Sequence, residues 1–200
     1  MNAFENKVVL VTGAGKGAGR KLAEAFAERG AIVAANDISP INVEEVVDGI
    51  LARGGKARAY IEDIAKKVGV QAVVNNVDDD FGRIDILINH AAVEPRVSLL
   101  KMDEWDWHRT LDVNLTGAFL MMQSVGRVMT AKGSGVILNL VAGAGEGAGK
   151  EAGAYFASKA GLAELSIQAG RELSPDGVRV FAVENSADVV KIIFDLLEAK

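Results

Sequence analysis

The sequence predicts an α/β fold in which a doubly wound parallel sheet of about six strands has helices on both faces. Apolar runs of strand-forming residues alternate with helical stretches along the whole chain, and this alternation is typical of parallel βαβ units with right-handed crossovers. Glycines mark the joints between these runs. At the first joint they form a glycine-rich turn between a strand and a helix, where backbone N–H groups at the positive end of the helix dipole can bind phosphate.

Each element is predicted from its local pattern. The strands are short apolar runs, which we place at 7–12, 31–36, 56–61, 84–89, 135–141 and 178–183. The helices are the stretches between them, near 17–29, 41–53, 66–80, 103–131, 152–173 and 187–199. No Pro- or Ser-rich linker divides the chain, so residues 1–200 are predicted to form a single dinucleotide-binding domain of the Rossmann type.

Composition excludes several classes of function. A net charge of −5 provides no basic stripe for nucleic acid. Cysteine is absent and histidine occurs twice, so we predict neither a disulfide framework nor a metal site. No apolar run reaches the length of a membrane span, and the N-terminal residues lead directly into the first strand without a signal peptide. A cytoplasmic protein without a membrane partner is therefore expected.

The glycine-rich turn is the first candidate binding site. Gly13 permits a tight turn, Gly17 lets the backbone approach a pyrophosphate, and Gly19 lets the helix pack closely on the strand. The rest of the turn belongs to the same predicted site and consists of Gly15, Lys16 and Ala18. A strand before it, a helix after it and an acidic residue further along the chain are the context that this motif requires.

That acidic residue is Asp37, at the end of the second strand. A carboxylate about 20 residues beyond the glycines accepts hydrogen bonds from the adenine-ribose 2′-hydroxyl and repels a 2′-phosphate. NAD is therefore predicted as the cofactor in preference to NADP, although Lys16 could approach a 2′-phosphate. Alternatively, Asp37 forms a turn or a helix cap before Ser39.

Polar residues also end other strands. Asn89 ends the fourth strand, Asp63 follows the third and Thr12 ends the first. Ligands of such sheets lie beyond the carboxyl ends of the strands, so we expect these side chains to line one crevice.

Tyr155 and Lys159 are the candidate acid–base pair. Their spacing places them on one face of a predicted helix. A free tyrosine titrates near pH 10, too high for efficient proton transfer at neutrality. A neighbouring ammonium is expected to stabilise the phenolate and lower the pKa of the tyrosine.

From Lys7 to about Val183, the chain resembles the short-chain dehydrogenase/reductase family. The matching motifs are Thr12-Gly13-Ala14-Gly15-Lys16-Gly17-Ala18-Gly19, Asp63-Ile64, Asn89-His90-Ala91-Ala92, Asp112-Val113-Asn114-Leu115 and Tyr155-Phe156-Ala157-Ser158-Lys159. The resemblance implies an NAD(H)-dependent oxidoreductase that transfers hydride between nicotinamide and an alcohol or carbonyl substrate.

The resemblance also implies individual roles. Tyr155 would be the catalytic acid/base, Lys159 would bind the nicotinamide ribose, and Asn114 would hold a water in a proton relay. The adenosine half of the cofactor would be bound by Asp63 with Ile64 and by Asn89 with Ala91.

Three departures from the family pattern concern the nicotinamide half of the site. Ala142 stands 13 residues before the tyrosine, where the family has a serine that donates to the substrate carbonyl. The usual Pro-Gly pair after the sixth strand is absent, and after about residue 184 the substrate-lid helices and seventh strand are missing. His90 also stands where the family has an asparagine. Its side chain could pack and form hydrogen bonds, or it could titrate near neutral pH and act in catalysis.

These departures predict impaired turnover. The alternative function is a catalytically weak or inactive nucleotide-binding protein that serves as a regulatory or partner subunit. A third possibility is that a neighbouring chain supplies the missing segment. Residues 112–131 and 152–173 are apolar and rich in Ala and Gly, and by resemblance this helix pair forms a four-helix bundle in a homodimer.

Overall fold

The computed structural model describes residues 3–142 and 150–199. Within these ranges, six strands form one sheet in the order β3-β2-β1-β4-β5-β6, and every neighbouring pair is parallel. The strands are β1 (Val8–Thr12), β2 (Ile32–Asp37), β3 (Lys56–Ile61), β4 (Ile86–Asn89), β5 (Gly135–Val141) and β6 (Val178–Glu184). The predicted doubly wound α/β fold is confirmed.

The described residues also form seven α-helices. They are α1 (Gly17–Glu28), α2 (Pro40–Ala52), α3 (Lys67–Phe81), α4 (Glu104–Leu111), α5 (Ala118–Lys132), α6 (Gly153–Leu173) and α7 (Val189–Glu198). A short 3₁₀ turn, Ser174–Asp176, follows α6. None of the helices described is both long and apolar enough to span a bilayer.

One predicted helix is wrong in detail. The sequence predicts a regular helix at 103–131, but a π-helical turn, Asp112–Gly117, separates α4 from α5. The side chain of Asn114, within this turn, bonds to residues outside the helix. Such π-helical turns occur often at functional sites.

The core lies on both faces of the sheet because successive strand residues point to opposite sides. Val9 and Val11 of β1 pack with α1, α2 and α7, whereas Val8 and Leu10 pack with α3, α5 and α6. On the first face, Phe194 of α7 lies against Phe4 and Phe26, with ring centroids 5.2 and 4.7 Å away. The residues after β6 thus help α1 and α2 to cover one face of the sheet.

The strand register aligns four buried polar residues near the carboxyl ends of the central strands. Thr12 pairs with Asn36 on one side and Asn89 on the other, and Asn89 pairs with Asn139. All four side chains are buried and must find partners inside the protein. This polar row lies directly below the candidate site.

Candidate functional site

A cleft of about 200 Å³ lies at the carboxyl edge of the sheet. Six of the predicted cofactor residues line it, namely Gly13, Lys16, Asp37, Asp63, Ile64 and Ala91. Gly15, Gly17, Ala18 and Gly19 belong to the same turn and the beginning of α1. The structure therefore brings together, in one crevice, residues from three separate sequence motifs.

The glycine turn has the geometry that the sequence predicts. Gly17 has a φ of +59°, and a Cβ built there would face open space. A Cβ on Gly19 would lie 2.2 Å from the carbonyl oxygen of Gly13, so only glycine allows α1 to approach β1 this closely. The turn leaves room for a ligand at Gly17 and is tightly packed at Gly19.

Asp37 forms the local turn that was the alternative prediction, and it also bonds to the glycine turn. Its carboxylate accepts hydrogen bonds from the backbone N–H groups of Gly15 (2.9 Å) and Ser39 (3.0 Å). The first bond fixes the carboxylate against the glycine turn, and the second makes a local turn before α2. Asp37 is 9 % exposed and lines the cleft, so its remaining lone pairs are available to a hydroxyl donor there.

Arg109 was not predicted to lie at this site. It lines the cleft, and its Nη1 lies 3.5 Å from Oδ2 of Asp63. Oδ1 of Asp63 accepts the backbone N–H of Ala65 at 3.0 Å. Arg109 is on α4, far from Asp63 along the chain, and no local motif marks it.

Thr12 and His90 connect β4 to the glycine turn. Thr12 Oγ1 accepts the backbone N–H groups of His90 (3.1 Å) and Ala91 (3.2 Å). His90 Nδ1 lies 3.1 Å from the Gly13 carbonyl oxygen, which can only accept, so Nδ1 carries the proton. Burial lowers the pKa of His90, and this favours the neutral ring in a packed, hydrogen-bonded role.

The side chain of Asn89 points into the polar row. Its Nδ2 donates to Asn139 Oδ1 at 2.8 Å, and Asn139 Nδ2 donates to Ser166 Oγ of α6 at 2.9 Å. These bonds tie β4 to β5 and β5 to α6. The Nδ2 of Asn89 also lies 3.4 Å from the carbonyl oxygen of Ala118, so both amide hydrogens are used inside the protein and not offered to a ribose.

Tyr155, Lys159 and Asn114 form a second group on α6 and the π-helical turn. Lys159 is 3 % exposed, and its Nζ donates to the carbonyl oxygen of Leu140 at 2.7 Å. Burial lowers the pKa of Lys159 to about 8. Its Nζ lies 5.9 Å from the centroid of the Tyr155 ring.

The expected lowering of the Tyr155 pKa is not found in this structure. Desolvation of the half-buried phenol raises the pKa, Glu94 raises it further and Arg96 lowers it. The ammonium of Lys159 is directed to the Leu140 carbonyl instead. A phenol with a raised pKa stays protonated at neutral pH and can act as a proton donor.

Asn114 is the centre of a hydrogen-bond network. Its Oδ1 accepts the Val93 N–H at 2.8 Å, and its Nδ2 donates to the Val93 carbonyl at 2.9 Å and to Ser158 Oγ at 3.0 Å. Ser158 donates in turn to the Tyr155 carbonyl at 2.6 Å. Sequence reasoning missed Ser158, although a serine directly before the lysine of the motif was a signal for it.

The end of β5 has the departure that the sequence indicates. Ala142 directly follows Val141, the last residue of β5, and its methyl group cannot donate a hydrogen bond. The structure therefore has Tyr155 and Lys159 on α6 and, directly after β5, a residue that lacks a hydroxyl.

The sequence comparisons agree with this geometry. The family model for short chain dehydrogenases matches residues 7–187. A (2S)-[(R)-hydroxy(phenyl)methyl]succinyl-CoA dehydrogenase subunit of Thauera aromatica is 38% identical over 180 residues, which are 90% of this chain and 72% of the relative. D-threitol dehydrogenase of Mycolicibacterium smegmatis is 39% identical over 88% of this chain and 68% of its own length. The chain belongs to the short-chain dehydrogenase/reductase family.

Solved structures confirm the fold. A metagenomic short-chain oxidoreductase in complex with NADP has a TM-score of 0.92 at 28% identity, covering 98% of this chain and 93% of that one. NAD⁺-bound xylitol dehydrogenase has a TM-score of 0.86 at 30% identity, covering 98% and 77%. Proteins of this fold thus carry either dinucleotide.

Proposed function

We propose that the chain is an NAD(H)-dependent oxidoreductase that transfers hydride between nicotinamide and an alcohol or carbonyl substrate, at a rate limited by Ala142. The observation that carries the proposal is the position of Tyr155 and Lys159 on α6, close to the cleft at the carboxyl edge of the sheet. Neither side chain lines the cleft, but Asn114 bonds both to Ser158 of α6 and to Val93, which does line it. Hydride transfer needs a bound nucleotide and a proton carrier at one place, and this arrangement can provide both.

The described residues fit a dinucleotide. The open space at Gly17 and the N-terminus of α1 suit a pyrophosphate. Asp37 suits the adenine ribose, since a carboxylate can accept its hydroxyl hydrogens and repels a 2′-phosphate. Asp63 and Ile64 would contact the adenine, and Arg109 holds Asp63 in position. The preference for NAD rests on Asp37.

The proton would be carried by Tyr155. When bound, the nicotinamide supplies the hydride donor or acceptor. In carbonyl reduction the protonated phenol gives its proton to the substrate oxygen, and in alcohol oxidation the phenolate takes the hydroxyl proton. The raised pKa of Tyr155 favours the first direction near neutrality.

Lys159 and Asn114 would support this step in different ways. Lys159 would hold the nicotinamide ribose and place a positive charge near the phenolate as it forms. Asn114 fixes Val93 and, through Ser158, the backbone of Tyr155. Because its side-chain amide makes these bonds, a relay water at this point would have to use main-chain groups of the π-helical turn.

The substitution at Ala142 explains the expected low rate. In the family, a serine at this position donates to the substrate carbonyl oxygen. Removal of one such donor typically costs a few kcal/mol, on the order of 10²–10³ in rate. If the protein binds the nucleotide but shows no measurable turnover, the result would favour the alternative function, a regulatory or partner subunit.

The experiment is a calorimetric titration with NAD⁺, NADH, NADP⁺ and NADPH, followed by a turnover screen with alcohols and ketones. We expect NAD(H) to bind more tightly than NADP(H), and Asp37→Ala to reduce this difference. Gly17→Val should abolish binding while the protein stays folded. The valine side chain would fill the open space that the ligand needs, at a residue whose backbone is in the left-handed region. Equal affinities in the unmodified protein would contradict the assigned cofactor preference.

The same proposal includes a homodimer formed by α5 and α6. These helices border a groove of about 350 Å³. Its lining includes apolar side chains such as Phe119 and Leu165, the small residues Gly126 and Ala169, and polar or charged side chains such as Arg127. Small residues allow close helix approach, and the apolar lining supplies area to bury.

A further inference from the structure

The loop after β4 is fixed to the protein at two points, and we call residues 93–97 the strap. At one end, Val93 makes two hydrogen bonds with the side chain of Asn114. At the other end, Val97 donates its N–H to the carbonyl oxygen of Glu151 at 2.8 Å. Glu151 has a φ of 70°, a left-handed conformation that costs energy in a residue other than glycine.

The two anchors place the strap beside the catalytic helix. Glu151 lies just before α6, and Tyr155 lies in the first turn of that helix. Asn114 is linked through Ser158 to the backbone of the same tyrosine. The residues between the anchors are therefore held close to Tyr155 from both sides.

Two opposite charges stand on the strap. Arg96 Nη2 lies 2.7 Å from Glu94 Oε1, and the two side chains are 59% and 35% exposed. A guanidinium has five N–H donors, so one bond to Glu94 leaves donors for a second planar anion. Arginine binds carboxylates bidentately with this fork.

The two charges also act on the phenol. Glu94 raises the pKa of Tyr155 and Arg96 lowers it, through their electric fields. Both charges must lie near the phenol to have this effect. Arg96 directly precedes the Val97 anchor at Glu151, four residues before Tyr155, so an anion bound to Arg96 would lie beside the first turn of α6.

We infer that Arg96 determines the substrate class by binding a carboxylate on the alcohol or ketone that reacts at Tyr155. The inference rests on the proposed function and specifies it: the substrates are hydroxy acids and oxo acids. Glu94 has the opposite effect, since its carboxylate competes for Arg96 and repels a second anion.

The test compares 2- and 3-hydroxybutyrate with their uncharged amides, in the presence of saturating NAD⁺. We expect the protein to use the acids in preference to the amides. Arg96→Gln should raise KM for the acid about 10- to 100-fold, as expected for loss of a charged hydrogen bond, with little change for the amide. Glu94→Gln should instead lower KM for the acid, because the competing carboxylate is removed.

The paired variants distinguish recognition from structural support. If the ion pair only stabilises the strap, both variants should impair acid and amide turnover in the same direction, and the inference is overturned. Equal use of acids and amides overturns it while leaving the proposed function intact. Preference for glycerol 3-phosphate over every acid overturns the carboxylate assignment.

A second readout separates the two hypotheses if no substrate is turned over. Calorimetry would measure binding of 3-hydroxybutyrate to the NAD⁺-saturated protein. Binding that is lost in Arg96→Gln and strengthened in Glu94→Gln supports the carboxylate site even if the proposed oxidoreductase function fails. Lack of binding to the unmodified protein overturns the inference.

Discussion

Lys159 is a single residue whose burial costs stability. It is buried, and its nearest hydrogen-bond partner is the neutral carbonyl of Leu140 rather than an anion. Among residues 3–142 and 150–199 no carboxylate pairs with it, and burial favours the uncharged amine and lowers the pKa to about 8. The folded protein therefore holds the Lys159 proton less tightly than the unfolded chain does.

This difference predicts a pH-dependent stability. Below pH 8 both states are protonated and the full cost of burying the charge is present. Between about pH 8 and 10.5 the unfolded chain binds more protons, so the free energy of unfolding should rise with pH, by about 3 kcal/mol at most. Chemical denaturation of the wild type and of Lys159→Met across this range would measure the rise as a difference between them. A difference independent of pH would contradict the shifted pKa.

Ala142→Ser is the second prediction at the residue scale. The new hydroxyl should raise turnover, up to on the order of 10²–10³-fold, if it can donate to the substrate oxygen. A poorly positioned substrate would reduce the gain. Single-turnover appearance of NADH at saturating NAD⁺ is the measurement, with Tyr155→Phe as the inactive control. If the native protein is already fast and the serine variant is no faster, another group polarises the carbonyl.

At the residue scale, six residues predicted to bind the cofactor line the cleft, whereas Asn89, Tyr155 and Lys159 do not. The partners of Lys159 and Arg109 were not predicted. Motif spacing identifies Asp37 because it lies at a fixed distance from the glycines within one βαβ unit. The carbonyl that Lys159 bonds is on β5, and the carboxylate near Arg109 follows β3. Such contacts depend on how distant elements pack, which local patterns do not encode.

At the scale of elements, the close contact between α1 and β1 is sensitive to a single methyl group. A Cβ on Gly19 would meet both the Gly13 carbonyl and His90 Nδ1, at 2.2 and 2.5 Å. The first neighbour is backbone and the second is held by a hydrogen bond, so neither can move freely.

We therefore expect Gly19→Ala to destabilise the protein by about 1–3 kcal/mol. Gly49→Ala is the matched control. It is also a glycine within a helix, but its Cβ would meet only Arg53 Nη1, at 3.6 Å. At position 49 the higher helix propensity of alanine should stabilise the protein by about 1 kcal/mol. In urea denaturation, the free energy of unfolding should fall in Gly19→Ala and rise in Gly49→Ala. A change in the same direction in both variants would refute this account of the turn.

The elements also show where sequence patterns stop being informative. Strand and helix positions were predicted to within about two residues because alternation and glycine joints are local signals. The π-helical turn at Asp112–Gly117 was not predicted, since it leaves the apolar pattern of a helix almost unchanged. The bonds from Asn114 to Val93 and Ser158 accompany it, and both partners are remote in sequence.

At the scale of the whole molecule, the outer face of α5 and α6 leads to a prediction about assembly. Phe119 is 41% exposed and lines the groove between these helices. If two copies associate there, Phe119→Glu places a charge in the interface and should shift the protein from dimer to monomer. Sedimentation velocity would measure the shift.

Ile41→Glu is the control for this experiment. Ile41 is 76% exposed on α2, away from the groove, so a charge there should leave the sedimentation coefficient unchanged. A monomeric wild-type protein, or equal effects of the two variants, would contradict dimerisation through α5 and α6.

The contact between Phe4 and Phe194 has a consequence for how the chain reaches its fold. The two rings come from opposite ends of the chain and both pack on Phe26. Closing a loop of almost the full chain length has an entropic cost that only prior folding of the intervening strands can reduce. This contact should therefore form late. It joins the segment before β1 to α7, so that local fraying at either terminus becomes coupled to opening of the whole face.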